Sequence, residues 1–161
     1  MTHVSNLSLE PIQAFLLKGD FGGAIKLLEK IPESELTTDL YELKGTLYNL
    51  GDILPKAAEA LEKGLLIAPK SPSLATELAH VIFKKGDLKK AKSILDNVIL
   101  QTPDFGKAHF HLGLLYFNCD RFNGAISHFQ NAIKLMHEES SPVTLLARTY
   151  LALKDFKSSE P

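Results

Sequence analysis

Residues 112–132 read LGLLYFNCDRFNGAISHFQNA, and this stretch decides the fold. A Leu-Gly pair opens it, and Tyr116 follows three residues after Gly113. Alanine and phenylalanine then recur at Ala125, Phe129 and Ala132. Stepping back 34 residues from Leu112-Gly113 lands on Leu78-Ala79, and a second step lands on Lys44-Gly45. One step forward lands on Leu146-Ala147. Gly45, Ala79, Gly113 and Ala147 are therefore small residues in one column, and a fixed period of this length marks a repeat architecture.

Other columns keep the same frame. Tyr48, Ile82, Tyr116 and Tyr150 are large, and Ala57, Ala91 and Ala125 are small. Leu61, Leu95 and Phe129 are bulky. Gly64, Val98 and Ala132 are small or medium, and Pro69 and Pro103 close two units. The spacing predicts pairs of antiparallel helices. The small residue of the first helix admits the second, and the bulky residue three positions on shares its face. Proline ends each unit because it cannot continue a helix. A single pair leaves an apolar face bare, which the next pair covers. Turns between the helices are expected at Gly19-Asp20, Gly51-Asp52, Gly86-Asp87 and Cys119-Asp120, with glycine ending one helix and aspartate capping the next. Pro55 falls in the first turn of its helix, where its missing N–H does no harm.

These columns resemble the tetratricopeptide repeat family, through Leu112-Gly113, Tyr116, Ala125, Phe129 and Ala132. The resemblance implies an all-α fold, a right-handed superhelical stack of antiparallel helix pairs with a C-terminal capping helix. Residues 1–161 are expected to form one such domain, with units at about 5–37, 38–71, 72–105 and 106–139. A capping helix is expected at about 140–156 and a tail at 157–161. The first unit matches more loosely, with a spacing of 33 to the next and a first helix expected to start late, at Pro11. Lys44, in a column otherwise leucine, and His137, where proline would stand, depart from the pattern.

In that family the first helices line a concave groove that takes partner peptides or helices. Carried onto this chain, residues facing away from the small-residue column give the candidate lining. It comprises Glu42, Thr46 and Asn49; Thr76, His80 and Phe83; Lys107, Phe110, Leu114 and Phe117; and Thr144, Arg148 and Leu151. Phe110, Leu114 and Phe117 share a helical face, either open or covered by the capping helix. Lys107 and Arg148 stand ready to hold an acidic group at its rim. The chaperone-tail clamp of one subfamily is missing. Where its lysines and asparagines would stand are Glu42, Thr46, Glu77 and His111, and the two glutamates repel an acidic tail.

Composition agrees with a binding role. A net charge of −1 gives no pull toward nucleic acid or an anionic membrane. The basic run Lys84-Lys85, Lys89-Lys90 and Lys92 lacks interleaved stacking aromatics and reads as a solvated face. One cysteine, Cys119, rules out an internal disulfide and favours a reducing compartment. Neither the N-terminus nor any apolar run suggests a signal peptide or a membrane span, so a cytoplasmic protein is expected. Six histidines show no zinc-ligand spacing, with His109 and His111 on different faces of one helix and His80, His128 and His137 on separate helices. Cys119 would need an adjacent base to act as a nucleophile, which His109 or His111 of the same unit could supply, but a cysteine packing the turn is expected. Gly19-Asp20-Phe21-Gly22-Gly23 lacks the lysine of a phosphate loop. No enzyme activity, metal or cofactor is expected. The expected function is a protein-interaction scaffold with a protein or peptide partner and no nucleic acid. A regulatory or substrate-presenting part of a larger enzyme such as a transferase is the first alternative, and self-association into a homo-oligomer the second.

Overall fold

The computed structural model describes residues 10–159, with side chains through residue 156, and every regular element among them is a helix. The chain divides into two compact units, Met1–Pro69 and Lys70–Pro161. In unit 1, α1 (Glu10–Leu17) pairs with α2 (Phe21–Glu29). A single 3₁₀ turn (Glu33–Glu35) leads to α3 (Thr38–Leu50), which pairs with α4 (Leu54–Ile67). In unit 2, α5 (Pro72–Lys84) pairs with α6 (Leu88–Gln101), and α7 (Gly106–Asn118) with α8 (Phe122–Leu135). The last helix, α9 (Ser141–Ser159), lies along α8. It continues through Ser159, so helix replaces the tail expected from residue 157.

The predicted columns form the contacts between paired helices. A methyl group added at Gly113 would meet the Phe129 ring at 2.6 Å, and one at Gly45 would run into Leu61. Ala79 and Leu95 share the core of the α5/α6 pair. Ala57, Ala91 and Ala125 are fully buried, because helix axes this close leave room for one methyl and no more. The α4 and α6 helices stop two residues short of Pro69 and Pro103, where the restricted residue before proline disfavours helix. In α9 the same column behaves differently: Ala147 and Tyr150 are exposed, since no second helix covers that face among the described residues.

The turns correct one expectation. Gly19 and Gly86 do adopt left-handed backbone, with φ of 70° and 92°, and Asp20 and Asp87 cap the following helices. Their carboxylates accept from the N–H of Gly23 at 2.8 Å and of Lys90 at 3.0 Å. In the other two turns the left-handed residue is the aspartate, Asp52 (φ 57°) and Asp120 (φ 56°), while Gly51 is right-handed. The caps there fall on Ile53 and Arg121, which give no side-chain bond. The reason lies in the period. Asp52, Gly86 and Asp120 are each 34 apart, so they occupy one backbone position, and aspartate tolerates left-handed geometry better than most residues.

Candidate partner-binding surface

Apart from Lys107, each expected surface residue stands one place after, three before or four after the small residue of its own helix. With 3.6 residues per turn, a residue one place on is rotated about 100° away, whereas residues three before or four after are only about 60° and 40° away. Thr46, His80, Leu114 and Arg148 are the one-place residues. Arg148 is exposed and the other three half-buried. Glu42, Phe110, Phe83 and Phe117 stand at the narrower offsets and are half-buried.

Two residues of the expected lining do not reach solvent. Asn49 and Thr76 are buried, Thr76 completely. Both stand at the narrow offsets, and their side chains are too short to escape the packed side of the helix. Lys107, in the first turn of α7, is exposed, as are Thr144 and Leu151 on α9.

Unit 2 brings much of the set together. His80 stacks on Phe83 at 6.5 Å between ring centroids, and meets the tilted ring of His111 of α7 at 4.6 Å. Phe110 meets His111 edge-on at 5.3 Å and leans on the buried Phe129 at 6.1 Å. At the other end of α7, Phe117 meets Phe122 at 5.9 Å, and Phe122 meets Phe156 of α9 at 6.0 Å. The face is thus anchored on α8 behind it while Phe110, Leu114 and Phe117 keep part of their surface open. Burial, with smaller contributions from His80 and Lys107, holds the His111 imidazole down at about 3. His80 is lowered too, mainly by burial and then by Lys84. Both rings are neutral at pH 7, so the positive charge at this face comes from lysines, Lys84 beside His80 and Lys107 beside His111.

On its opposite side, α7 carries a pairing that the sequence did not suggest. Nδ1 of His109 lies 3.2 Å from Nδ1 of His128, and Nε2 of His109 lies 3.0 Å from the Pro103 carbonyl oxygen. His128 stacks flat on Tyr116 at 5.4 Å. His109 and His111 thus engage His128 and His80, while the half-buried Cys119 sits at the end of α7. Among the described residues no three histidine, cysteine or carboxylate side chains gather as a metal site, and no helix is long and apolar enough to cross a membrane.

Two family models, both described as tetratricopeptide repeat, match residues 54–112 and 106–135, together half of the chain. The chain is a tetratricopeptide repeat protein. Its repeats are similar to those of cell division cycle protein 27 homolog A of Arabidopsis thaliana, with 28% identity over 92 residues, 57% of this chain and 13% of that protein. Protein O-mannosyl-transferase TMTC1 of Homo sapiens is 25% identical over 138 residues, 81% of this chain and 15% of that protein. The chain therefore spans about one-seventh of the length of these relatives. Among solved structures, a MamA protein superposes with a TM-score of 0.67 at 21% identity, over 92% of this chain and 86% of that one. A second MamA structure gives 0.65 at 24%, over 92% and 88%. These likenesses establish the fold.

Proposed function

We propose that this tetratricopeptide repeat chain is a non-catalytic protein-binding module whose partner lies on the α5/α7 face of unit 2. The carrying observation is the row of half-open apolar side chains there, Phe83, Phe110, Leu114 and Phe117, with the exposed cations Lys107 and Arg148 on α7 and α9. Apolar side chains at helical spacing suit an amphipathic helix or extended apolar segment, and the cations favour an acidic residue at its edge. On α3 of unit 1, Glu42 and Thr46 are half-buried. The reading treats residues 1–161 as one array, on the period of 34 that runs from Gly45 to Ala147, and places it in the cytoplasm on the strength of its single cysteine.

A second reading, in which the array presents a substrate or partner to a catalytic region of a larger protein, is carried by the matches to O-mannosyl-transferases alone.

Affinity capture from native lysate tests the first reading. Leu114→Glu places a charge at a half-buried apolar position of α7 and is expected to abolish capture while helical content is unchanged. Phe110→Ala with Phe117→Ala is expected to weaken capture. Retention of the same partners by both variants would refute the surface.

A further inference from the structure

Lys44 breaks the repeat, and it borders an open cavity. The same column holds Leu78 and Leu112, both buried. In unit 1, Lys44 instead borders a cavity of about 320 Å³ between α2, the 3₁₀ turn, α3 and α4. Three carboxylates and three ammonium groups line it: Glu29, Glu33 and Glu59 with Lys44, Lys56 and Lys63. Ile31, Leu36 and Ala60 supply an apolar wall. A volume of this size lies at the low end for small-molecule sites.

Most of the polar groups are committed to one another. The buried Tyr48 hydroxyl donates to Glu29 Oε1 at 2.6 Å, and Lys56 Nζ donates to the same oxygen at 2.9 Å. Lys63 is shared, at 2.6 Å from Glu33 and 3.1 Å from Glu59. The Tyr48 bond, then Lys56, holds Glu29 below the usual carboxylate range, and Lys63 does the same for Glu33. Two lysines thus serve three carboxylates, and one equivalent of negative charge is left over. The matching positive charge is Lys44, which acts on Glu29 and Glu33 through space rather than in a close ion pair. Tyr41, one turn before Lys44 on α3, is also under-used. Its buried hydroxyl reaches Glu33 only at 3.4 Å, long for an O–H···O bond. Residues three apart share a helix face, so both donors open on the same cavity.

We propose that this cavity binds a small zwitterion, an α-amino acid with an apolar side chain. Lys44 and the Tyr41 hydroxyl take its carboxylate, and Glu59, which shares Lys63 with Glu33 at the longer distance of 3.1 Å, takes its ammonium. Its side chain points to the edge that Ile31, Leu36 and Ala60 give the cavity. A simple anion fits less well, because it would leave a balanced lining with net negative charge, whereas a zwitterion preserves the balance. The site is separate from the protein-binding face, which lies in unit 2.

Calorimetric titration of the full chain with leucine, N-acetyl-leucine and leucine amide tests the proposal. Leucine is expected to bind with a dissociation constant on the order of millimolar, and each capped analogue at least about tenfold more weakly. Lys44→Leu restores the repeat residue and is expected to abolish binding while raising the melting temperature. Lys44→Gln is expected to weaken binding without that gain. Absence of leucine binding, equal binding of N-acetyl-leucine, or undiminished binding by folded Lys44→Leu would each overturn the proposal and leave the network as a bond between helices.

Discussion

His109 and His128 meet nitrogen to nitrogen, with a ring-centroid distance of 5.5 Å and a 3.2 Å gap between their Nδ1 atoms. The centroid separation is the gap plus about one ring radius at each end, so the nitrogens face each other head-on, the geometry of a hydrogen bond. A carbonyl oxygen only accepts, so the contact with Pro103 puts a proton on His109 Nε2. In the neutral pair His109 Nδ1 is then the acceptor and His128 Nδ1–H the donor.

Nitrogen-resolved NMR of the imidazoles at pH 8 is therefore expected to show His109 as the Nε2–H tautomer and His128 as the rarer Nδ1–H tautomer. His128→Phe keeps the stack on Tyr116 but leaves His109 Nδ1 buried without its donor. It is expected to cost about 1–3 kcal/mol in urea unfolding. A neutral effect would show that the bond contributes nothing.

Acid should destabilise the protein through His111. Its folded value of about 3 lies below the ordinary histidine value of about 6.5. The unfolded chain therefore binds the proton first, and stability present above pH 6.5 is lost as pH falls toward 3. At pH 5 the loss from this ring amounts to about 2 kcal/mol. His128, lowered chiefly by burial and by His109, with Asp96 opposing, adds in the same direction. Denaturant midpoints between pH 8 and 5 measure the slope, and His111→Gln is expected to flatten it.

Gly113→Ala tests the close approach of α7 and α8. Alanine is the better helix former by roughly 1 kcal/mol. Against that gain, its methyl meets a Phe129 ring that is fully buried and has no room to withdraw, and overpacking of a core costs roughly 1–3 kcal/mol. The expected outcome is a lower melting temperature. Ala79→Gly, in the same column, is expected to lower it as well, through a lost methyl in the core.

The uncapped turns can be repaired. Arg121 has the backbone of a capping residue, φ −89° and ψ 63°, close to the −85° and 77° of Asp87. Ile53 matches it at −89° and 61°. Asparagine at either position can bond the helix N-terminus, so Arg121→Asn and Ile53→Asn are each expected to stabilise by about 1 kcal/mol in thermal unfolding. No gain would show that the first-turn N–H groups are already satisfied.

Much of this was legible because repeat packing imposes the same demand at the same place. Gly45 and Gly113 had to be small for one reason, and one period exposed both. The turns were misread where residue type was followed instead of the period. Stepping by 34 from Gly86 reaches Asp52 and Asp120, the true left-handed positions. The expected lining failed at Asn49 and Thr76 because "facing away" was applied to offsets that remain near the packed side. The His109–His128 pair follows a rule visible only afterwards. Tyr41 and Ala60, and Ala75 and Ile94, also stand 19 apart and also share their cores. Lys44 was noticed as a departure, but its meaning needed the carboxylates of α2 and the 3₁₀ turn, which no repeat column predicts.

The open Ala147–Tyr150 edge of α9 makes the fold extensible by design. A synthetic helix with the spacing of Ala125, Phe129 and Ala132 presents the surface that α7 already receives from α8. Supplied in trans, such a peptide would seat on α9 by the same complementarity, converting a bare edge into an attachment point for added modules.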